Sequence, residues 1–282
     1  MSRYTIHNQI QRLDPVKDHQ RIVFLSSCYD FPFDTTRALE FALFRTFCVP
    51  SISGLLDRTG EFENRAQKRY DDTDIIVSEL LERGYESDRG QRAIQRLNEL
   101  HGRYSITNED FLYVLSTFIY EPIRWNARFG WRPMCEEECL GHFYFWREVG
   151  QRMNIADIPS RFDTFEHFNR EYERQNYRFT DTNHQIGVAT RELFVGWLPR
   201  PLAPIARSAI HALLDDALID AFGFPQPSRL MRWLVRNALR LRARLLRLLP
   251  SRRQPRFRTE MTRPSYPEGY TIERLGPPEK QD

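Results

Sequence analysis

The amino-acid sequence predicts an all-α protein that folds as a single helical domain. Apolar residues recur at helical spacing through most of the chain, and no segment keeps the apolar–polar alternation of a strand. The 282 residues are 41% hydrophobic and 13% aromatic, which is enough for one large core with a cofactor pocket. We expect one domain over residues 1–282, with its core at about 12–250 and a C-terminal extension at 251–282.

Helix boundaries follow from capping and breaking residues. Asp34 and Ser87 are expected N-caps, Pro122 and Pro250 are expected to end helices, and Gly223 is expected to break the chain. These signals predict eight helices, over residues 34–48, 61–83, 89–101, 107–122, 135–153, 161–175, 201–221 and 229–249.

The second predicted helix carries two polar residues, Arg69 and Thr73, one helical turn apart on its apolar stripe. The apolar members of that stripe are Phe62, Ala66, Ile76 and Leu80. Burying an unpaired guanidinium costs several kcal/mol, so Arg69 requires a partner. That partner is a carboxylate from another helix, which the pattern alone favours, or an anionic cofactor.

The third predicted helix ends in a histidine on its apolar side. His101 follows Ile94 and Leu97 along one face of the helix. A histidine in this position is usually a core residue, but neutral imidazole is also the commonest haem and metal ligand. Because Arg69 and Thr73 point inward from the preceding helix, the three residues suggest a porphyrin site. The histidine would bind iron, and the polar pair would serve the oxygen or propionate side.

An acidic run, Asp71, Asp72 and Asp74, supports an alternative. Carboxylates on adjacent turns can bridge Mg²⁺ to a diphosphate, as in the aspartate-rich site of prenyl-diphosphate enzymes. The run lacks the full DDxxD spacing, however, and no second magnesium motif is convincing. We therefore expect an exposed acidic patch opposite the apolar stripe.

Cys135, Cys139 and His142 share one face of the helix predicted at 135–153, which suggests a zinc site. Structural zinc takes four ligands, usually with C-x2-C spacing and a second segment, and nothing nearby in the sequence completes the set. We expect the cysteines to be core residues beside Trp146. His142 is a candidate for the distal side of a haem pocket.

Positive charge is concentrated near the C-terminal end. Residues 226–263 contain twelve arginines and one glutamate, a net charge of +11, so the rest of a chain whose total is +3 carries −8. Within 229–249 one predicted face consists of Arg229, Arg232, Arg236, Arg240, Arg244 and Arg247. The opposite, apolar side consists of Leu230, Trp233, Leu234, Leu241, Leu245 and Leu248.

This basic amphipathic helix has three interpretations. We expect its apolar side to pack on the domain, with the arginines solvated. Alternatively, the helix lies on an anionic membrane surface, or one of its arginines reaches a haem propionate. We do not expect nucleic-acid binding, because no aromatic interleaving or known motif accompanies the charge.

The composition predicts a cytoplasmic protein with at most a peripheral membrane contact. No run of about 18 apolar residues would form a transmembrane helix, and the N-terminus is too polar for a secretory signal. Four cysteines in a chain of this length do not suggest a disulfide framework. Glycine-rich phosphate loops and the G-x-S-x-G elbow of hydrolases do not occur in the sequence.

Several stretches, in their order along the chain, resemble the oxygenase family that contains the latex clearing protein (a rubber oxygenase) and the MpaB-type oxygenase of mycophenolic acid biosynthesis. The resemblance runs almost end to end, and the MpaB-like branch fits better. The stretches that carry it lie at 12–18 (RLDPVKD), 29–34 (YDFPFD), 68–73 (KRYDDT), 93–115, 124–133 (RWNARFGWRP), 146–159, 197–216 and 266–277 (YPEGYTIERLGP).

This resemblance implies an all-α fold that binds one b-type haem through a histidine. It also implies use of O2 to cleave or oxygenate carbon–carbon double bonds, typically in isoprenoid chains. The Arg-x-x-x-Thr motif of the family falls on Arg69 and Thr73, and its axial haem histidine falls on His101. Rubber oxygenases have a lysine directly before the threonine, where this chain has Asp72, and no nearby glutamate matches their catalytic glutamate by spacing.

The sequence therefore predicts a haem-dependent oxygenase that acts with O2 on a small, hydrophobic, unsaturated substrate. His101 is the predicted axial ligand of the haem iron, and Arg69 and Thr73 are the predicted catalytic and haem-binding residues. A magnesium-dependent prenyl-diphosphate enzyme that uses Asp71 and Asp72 is one alternative. A non-catalytic helical protein that associates with membranes through its 229–249 helix is the other.

Overall fold

The computed structural model describes residues 2–277, and over this range the protein contains helices and no β-strand. The predicted all-α fold is confirmed. A π-helical segment at Ser26–Asp30 and two short 3₁₀ helices accompany fourteen α-helices. In chain order these are α1 Thr5–Ile10, α2 His19–Leu25, α3 Pro32–Thr46, α4 Pro50–Thr59, α5 Glu61–Asn64, α6 Ala66–Arg83, α7 Asp88–His101, α8 Asn108–Phe129, α9 Glu136–Arg152, α10 Phe162–Asn176, α11 Asp181–Gly196, α12 Ala203–Leu213, α13 Asp216–Phe222 and α14 Arg229–Arg247.

Helix α8, 22 residues long, runs through the main core. The sequence predicts that it stops before Pro122, but the helix continues to Phe129 with the proline inside it. Trp125 and Phe129 are buried against Ala38 of α3. Burial of these aromatic side chains offsets the cost of an internal proline, which is about 3 kcal/mol. The predicted end was therefore wrong because tertiary packing overrides the local signal.

Two of the predicted helices are each split in two. The helix predicted at 61–83 breaks at Arg65, whose φ of −145° and ψ of 43° lie outside the helical region. The helix predicted at 201–221 breaks before Asp215, which caps the next helix by accepting a hydrogen bond from the Leu218 amide at 3.1 Å. Each break lets the chain change direction, and apolar periodicity alone does not reveal it.

Asp34 is not the N-cap of α3 that the sequence predicts. The helix begins at Pro32, and Asp34 lies buried in its first turn. The Asp34 carboxylate accepts hydrogen bonds from Trp125 Nε1 at 3.1 Å and from Arg242 Nη1 at 2.9 Å. Asp34 therefore connects α3 to α8 and α14 instead of capping its own helix.

Helices α1, α2, α4 and α11 lie outside the predicted set. Helices α4 and α11 pack on each other around the buried side chain of Asn183. Its amide donates to the carbonyl oxygens of Cys48 and Arg178, at 2.9 and 2.8 Å, and its Oδ1 accepts from Ser53 Oγ at 2.5 Å. Polar contacts fix this packing, so the apolar periodicity that identifies the other helices is weak here.

Helices α6 and α7 form a hairpin whose turn is closed by direct backbone contact. Ser87 is the N-cap of α7, as predicted, and its hydroxyl accepts a hydrogen bond from the Gly90 amide at 3.0 Å. A Cβ atom at Gly90 would lie only 1.9 Å from the carbonyl oxygen of Gly84. The approach of α7 to the turn therefore requires glycine at position 90.

We expect Gly90→Ala to lower the free energy of unfolding by about 2–4 kcal/mol, because the added methyl group overlaps backbone atoms that cannot move aside cheaply. Urea denaturation followed by circular dichroism measures this change. Gly196→Ala is the matched control, since a Cβ there meets no atom within 4 Å. The control should be stabilised by at most about 1 kcal/mol. Equal destabilisation of both variants would contradict the close contact.

Helix α14 packs with a different side from the one that the sequence predicts. The expected apolar side faces outward, and the exposed fraction is 65% for Leu230, 56% for Leu241 and 81% for Leu248. The apolar residues that contact the protein instead are Leu239, Ala243 and Leu246. The expectation was wrong because α14 has apolar residues on two sides, and only one of them is buried.

No single helix within residues 2–277 is long and apolar enough to cross a membrane. Helices α3 and α4 satisfy the criterion only as a pair, by length and composition, and they are bent by 97° at their junction.

Candidate functional site

His101 is the last residue of α7, and its side chain is partly buried. Its Nδ1 atom is buried and has no hydrogen-bond partner among residues 2–277. The ring packs edge-on against Phe111 of α8, with 5.3 Å between the ring centroids. Burial, and secondly the positive charge of Arg69, lower the pKa of His101 to about 4. The imidazole is therefore neutral at pH 7, which is the form that binds a metal ion.

The other histidines provide a comparison. Of the seven in the chain, three have a buried ring nitrogen without a partner in the described structure: His7, His101 and His142. His19 and His184 instead each bond a backbone carbonyl oxygen at 2.7 Å. Both nitrogens of His142 are unpartnered, and burial lowers the pKa of His142 to about 4. Of the three histidines with an unpartnered nitrogen, His101 is the one whose pKa the charge of Arg69 lowers.

Arg69 and Thr73 lie one turn apart on α6, as predicted, and they bond each other. The guanidinium donates to the Thr73 hydroxyl, which in turn donates to the Arg69 carbonyl oxygen at 3.0 Å. The protein atoms around Arg69 lower the pKa of its guanidinium by desolvation. Contact with a hydroxyl does not neutralise a cation, so the charge of Arg69 has to be balanced by carboxylates or by a ligand.

The two carboxylates that act electrostatically on the pKa of Arg69 each bind another cation. Asp72 lies 2.9 Å from Lys68 Nζ, and Glu61 pairs with Arg65. Within residues 2–277 no carboxylate oxygen lies within 4 Å of the Arg69 guanidinium. The described residues therefore supply no ion pair of the kind that the sequence pattern favours, and an anionic ligand remains as the other interpretation.

One face of α8 is apolar and partly accessible where it approaches the α6–α7 hairpin. We call it the α8 seam; it consists of Phe111, Val114 and Phe118, which span about 10 Å of helix. The helices that pack most closely along α8 are α3, α9, α10 and α14, whereas α6 packs on α7. The hairpin therefore meets the seam through side chains, with His101 at its Phe111 end.

A cavity lies at the Phe118 end of the seam. Its apolar wall includes Leu39, Leu43, Val77, Leu81 and Phe118. Its free volume is about 50 Å³, whereas pockets for small molecules usually measure about 300–1,000 Å³. A porphyrin or an isoprenoid chain would therefore fit only after side chains of the seam have moved.

The structure brings Thr73 to the cavity wall and places Arg69 and His101 outside it, within electrostatic reach of each other. The sequence prediction missed the contribution of α3. Glu40 lies in the wall and accepts a hydrogen bond from the Tyr70 hydroxyl at 2.6 Å, and burial raises the pKa of Glu40. The available signal was a carboxylate within the apolar 34–48 segment.

The acidic run on α6 is not the exposed patch that we expect from the sequence. Asp71 and Asp72 are only 1% and 4% exposed. The Ser265 amide donates to Asp71 at 3.0 Å, and the Tyr266 hydroxyl donates to Asp72. The prediction was wrong because residues of the C-terminal extension cover this side of α6.

Asp74 pairs with Arg258 at 2.8 Å, so all three carboxylates of the run have partners within the protein. Binding Mg²⁺ to the run would require breaking these buried hydrogen bonds and ion pairs, each of which stabilises a charged group. The structure therefore disfavours a magnesium–diphosphate site at Asp71 and Asp72.

The predicted face of two cysteines and His142 does not assemble a zinc site. The group of potential ligands that lie within 4.8 Å of one another in the described chain is instead His7, Cys135 and Glu138. Glu138 already accepts two hydrogen bonds from Arg132, at 2.5 and 2.8 Å. The charge of Arg132 opposes a second cation at this position.

The two neutral histidines predict acid sensitivity. Because the pKa values of His101 and His142 are lowered to about 4, the unfolded chain binds protons before the folded one, and stability falls as the pH drops from about 6.5 to about 4. We expect a loss of roughly 2 kcal/mol per histidine between pH 7 and pH 5. Urea denaturation at both pH values tests this, and the double variant His101→Gln, His142→Gln should show a flatter dependence. If the double variant kept the same dependence of unfolding free energy on pH, groups other than these two histidines would cause the acid sensitivity.

The fold and this site define an all-α protein in which an arginine without a carboxylate partner in the described chain and a neutral histidine lie beside an apolar seam. Such a site suits a histidine-ligated, anionic cofactor. The chain belongs to the family described as "ER-bound oxygenase mpaB/B'/Rubber oxygenase, catalytic domain", whose model matches residues 49–248. The family resemblance predicted from the sequence is therefore confirmed.

Two relatives from Penicillium show the extent of the similarity. The ER-bound oxygenase mpaB' of Penicillium brevicompactum is 29% identical over 217 residues, which cover 71% of this chain and 51% of that protein. The ER-bound oxygenase mpaB of Penicillium roqueforti (strain FM164) is 31% identical over 212 residues, which cover 68% of this chain and 70% of that protein. The chain thus spans about half the length of the first relative.

Proposed function

We propose that this protein is a haem-dependent oxygenase that uses O2 to oxidise or cleave a carbon–carbon double bond in a hydrophobic, isoprenoid-like substrate. Membership of an oxygenase family supports the reaction class. One observation supports the choice of cofactor: the desolvated guanidinium of Arg69 has no carboxylate partner within residues 2–277, and it lies within electrostatic reach of the neutral His101. A dianionic porphyrin with a histidine-bound iron satisfies both groups.

The imidazole and guanidinium groups at this site suit such a cofactor, because one can bind iron and the other can bind an anionic group. His101 would be the axial ligand, since its neutral imidazole can bind iron without first losing a proton. Arg69, which Thr73 holds by a hydrogen bond, would bind a propionate or orient and polarise the pocket near the iron. When bound, the haem supplies the dioxygen chemistry, and the protein supplies position and electrostatics.

The apolar residues would position the substrate. Phe111, Val114 and Phe118 offer hydrocarbon and aromatic surface beside His101, and Val77 continues that surface into the cavity. A substrate without hydrogen-bonding groups loses little when it leaves water for such a surface, and its apolar area favours the transfer. The same side chains exclude water from the reacting double bond.

The test is an absorption spectrum of protein expressed with a haem precursor, recorded before and after dithionite. We expect a Soret band that sharpens on reduction, and O2-dependent carbonyl or hydroxylated products from unsaturated isoprenoids by mass spectrometry. Protein that stays colourless at every haem supply would refute the cofactor. Protein with haem but no O2-dependent product from any unsaturated chain would refute the substrate class.

A further inference from the structure

Helix α14 exposes a continuous row of leucines. We call this row the outer face; each of its members is between 46% and 81% exposed, and they are Leu230, Leu234, Leu241, Leu245 and Leu248. Their spacing of 4, 7, 4 and 3 residues places them on one side of the helix. Soluble proteins rarely leave such a large apolar row in water, so it indicates an interaction surface.

The orientation of α14 is fixed by contacts on its other sides. Arg232 binds Asp216 at 2.6 Å, and Arg242 binds Asp34 at 2.9 Å. Ala243 is buried against the protein on the side away from the outer face. The row of leucines therefore faces outward because the rest of the helix is anchored, and a rotation that buried it would break two ion pairs.

Positive charge lies directly beside the outer face. The arginines that are exposed along this flank are Arg229, Arg240, Arg244 and Arg247. Trp233, which is 61% exposed, lies among these arginines, next to the leucines. Helices that lie in the plane of a membrane surface combine these three features: a leucine face, a boundary tryptophan and basic residues beside them.

The neighbouring segment extends the apolar surface. Helix α12 packs on α14. This helix and the turn before it leave four large apolar side chains between 42% and 59% exposed, namely Trp197, Leu198, Leu202 and Ile205. Two adjacent segments thus leave large apolar side chains in water, as expected of a surface that contacts a wide partner.

We propose that α14 docks the protein peripherally on an anionic lipid surface. The outer face enters the boundary between headgroups and acyl chains, and the arginine flank binds the lipid phosphates and carboxylates. A second copy of this chain suits the surface less well, because any two-fold contact would bring two strongly basic helices together, and an antiparallel one would place their arginine flanks side by side. The proposal depends only on the burial and charge of α14 and its neighbour, so its test is independent of the oxygenase proposal.

The test is co-sedimentation of the full chain with vesicles of phosphatidylcholine, with and without phosphatidylserine. The triple variant Leu241→Ser, Leu245→Ser, Leu248→Ser should partition into phosphatidylserine vesicles at least about 100-fold more weakly. The double variant Arg240→Gln, Arg244→Gln should lose roughly 30-fold of the preference for phosphatidylserine. Both variants change exposed side chains, so their thermal unfolding should match that of the wild type.

The matched control is Val16→Ser with Met261→Ser, which removes exposed apolar side chains outside α12 and α14 and should leave vesicle binding unchanged. Trp197 and Trp233 are the exposed tryptophans of the described chain, so a blue shift of fluorescence reports their transfer into lipid. Equal vesicle binding by the wild type and the triple leucine variant would overturn the proposal. So would absent vesicle binding together with a dimer that this variant dissociates, which would identify a second copy as the occupant.

Discussion

His101→Ala should yield protein without a Soret band and without O2-dependent product, whatever the haem supply. The reason is that the variant removes the neutral imidazole that the proposal assigns to iron, while the adjacent Arg69 cannot replace it as a ligand. The apo protein should stay folded, because His101 Nδ1 has no hydrogen-bond partner to lose among residues 2–277. Absorption spectra and pyridine haemochrome titration of wild type and variant measure the bound haem.

His142 provides the matched control for this experiment. Burial lowers its pKa to about 4, as it does for His101, and both of its ring nitrogens lack partners in the described structure. His142→Leu should keep the Soret band, and added imidazole should restore a band to His101→Ala by entering the space that the side chain leaves. If His142→Leu lost the band and His101→Ala kept it, the axial ligand would be His142.

Much of the fold follows from local chemistry that the sequence displays. Ser87, Thr107 and Ser228 each begin a helix, and the hydroxyl of each accepts a hydrogen bond from the backbone amide three residues on. These caps lie next to strong apolar periodicity, so the existence of α7, α8 and α14 could be predicted. The break at Arg65 and the continuation through Pro122 could not, because both depend on contacts with distant helices.

The sequence predicts which residues form the site, but it does not predict which chain segments surround them. The spacing of Arg69 and Thr73 places them together on α6, and the structure confirms that they bond each other. Whether Arg69 has a carboxylate partner depends on which chain segments cover α6. Residues 251–277 supply a hydroxyl for Asp72 and a cation for Asp74. The local sequence pattern around position 69 does not predict these contacts.

Helix α14 is a second case in which the sequence pattern does not determine the packing. Its sequence contains two apolar sides, one with Leu239 and Leu246 and one with Leu241 and Leu248, and both satisfy helical periodicity. Asp34 decides between them, because its buried carboxylate binds Arg242 and so orients the first side toward the core. A pattern of hydrophobicity cannot contain this information, since the decisive residue lies on α3.

Arg69→Met should leave the free energy of unfolding of the apo protein unchanged or raise it by up to about 2 kcal/mol, and should lower haem affinity by about 10- to 100-fold. The variant removes a desolvated guanidinium that has no carboxylate partner within residues 2–277, so its desolvation cost disappears, and methionine fills a similar volume. The loss of affinity follows because a charge-assisted hydrogen bond to a haem carboxylate is worth about 1.5–3 kcal/mol. Urea denaturation of the apo protein and haem transfer to apomyoglobin measure the two quantities separately.

Arg132→Met is the contrasting variant, because Arg132 is buried with two carboxylate partners, Asp30 at 2.6 Å and Glu138 at 2.5 Å. Leaving two buried carboxylates without their cation should cost about 3–5 kcal/mol. Arg69→Met should therefore leave the stability of the apo protein unchanged or raise it, whereas Arg132→Met should lower it. At temperatures where both proteins are folded, only Arg69→Met should change haem transfer. Destabilisation of Arg69→Met by as much as Arg132→Met would mean that Arg69 has a structural partner after all, and unchanged haem transfer would remove its role at the cofactor.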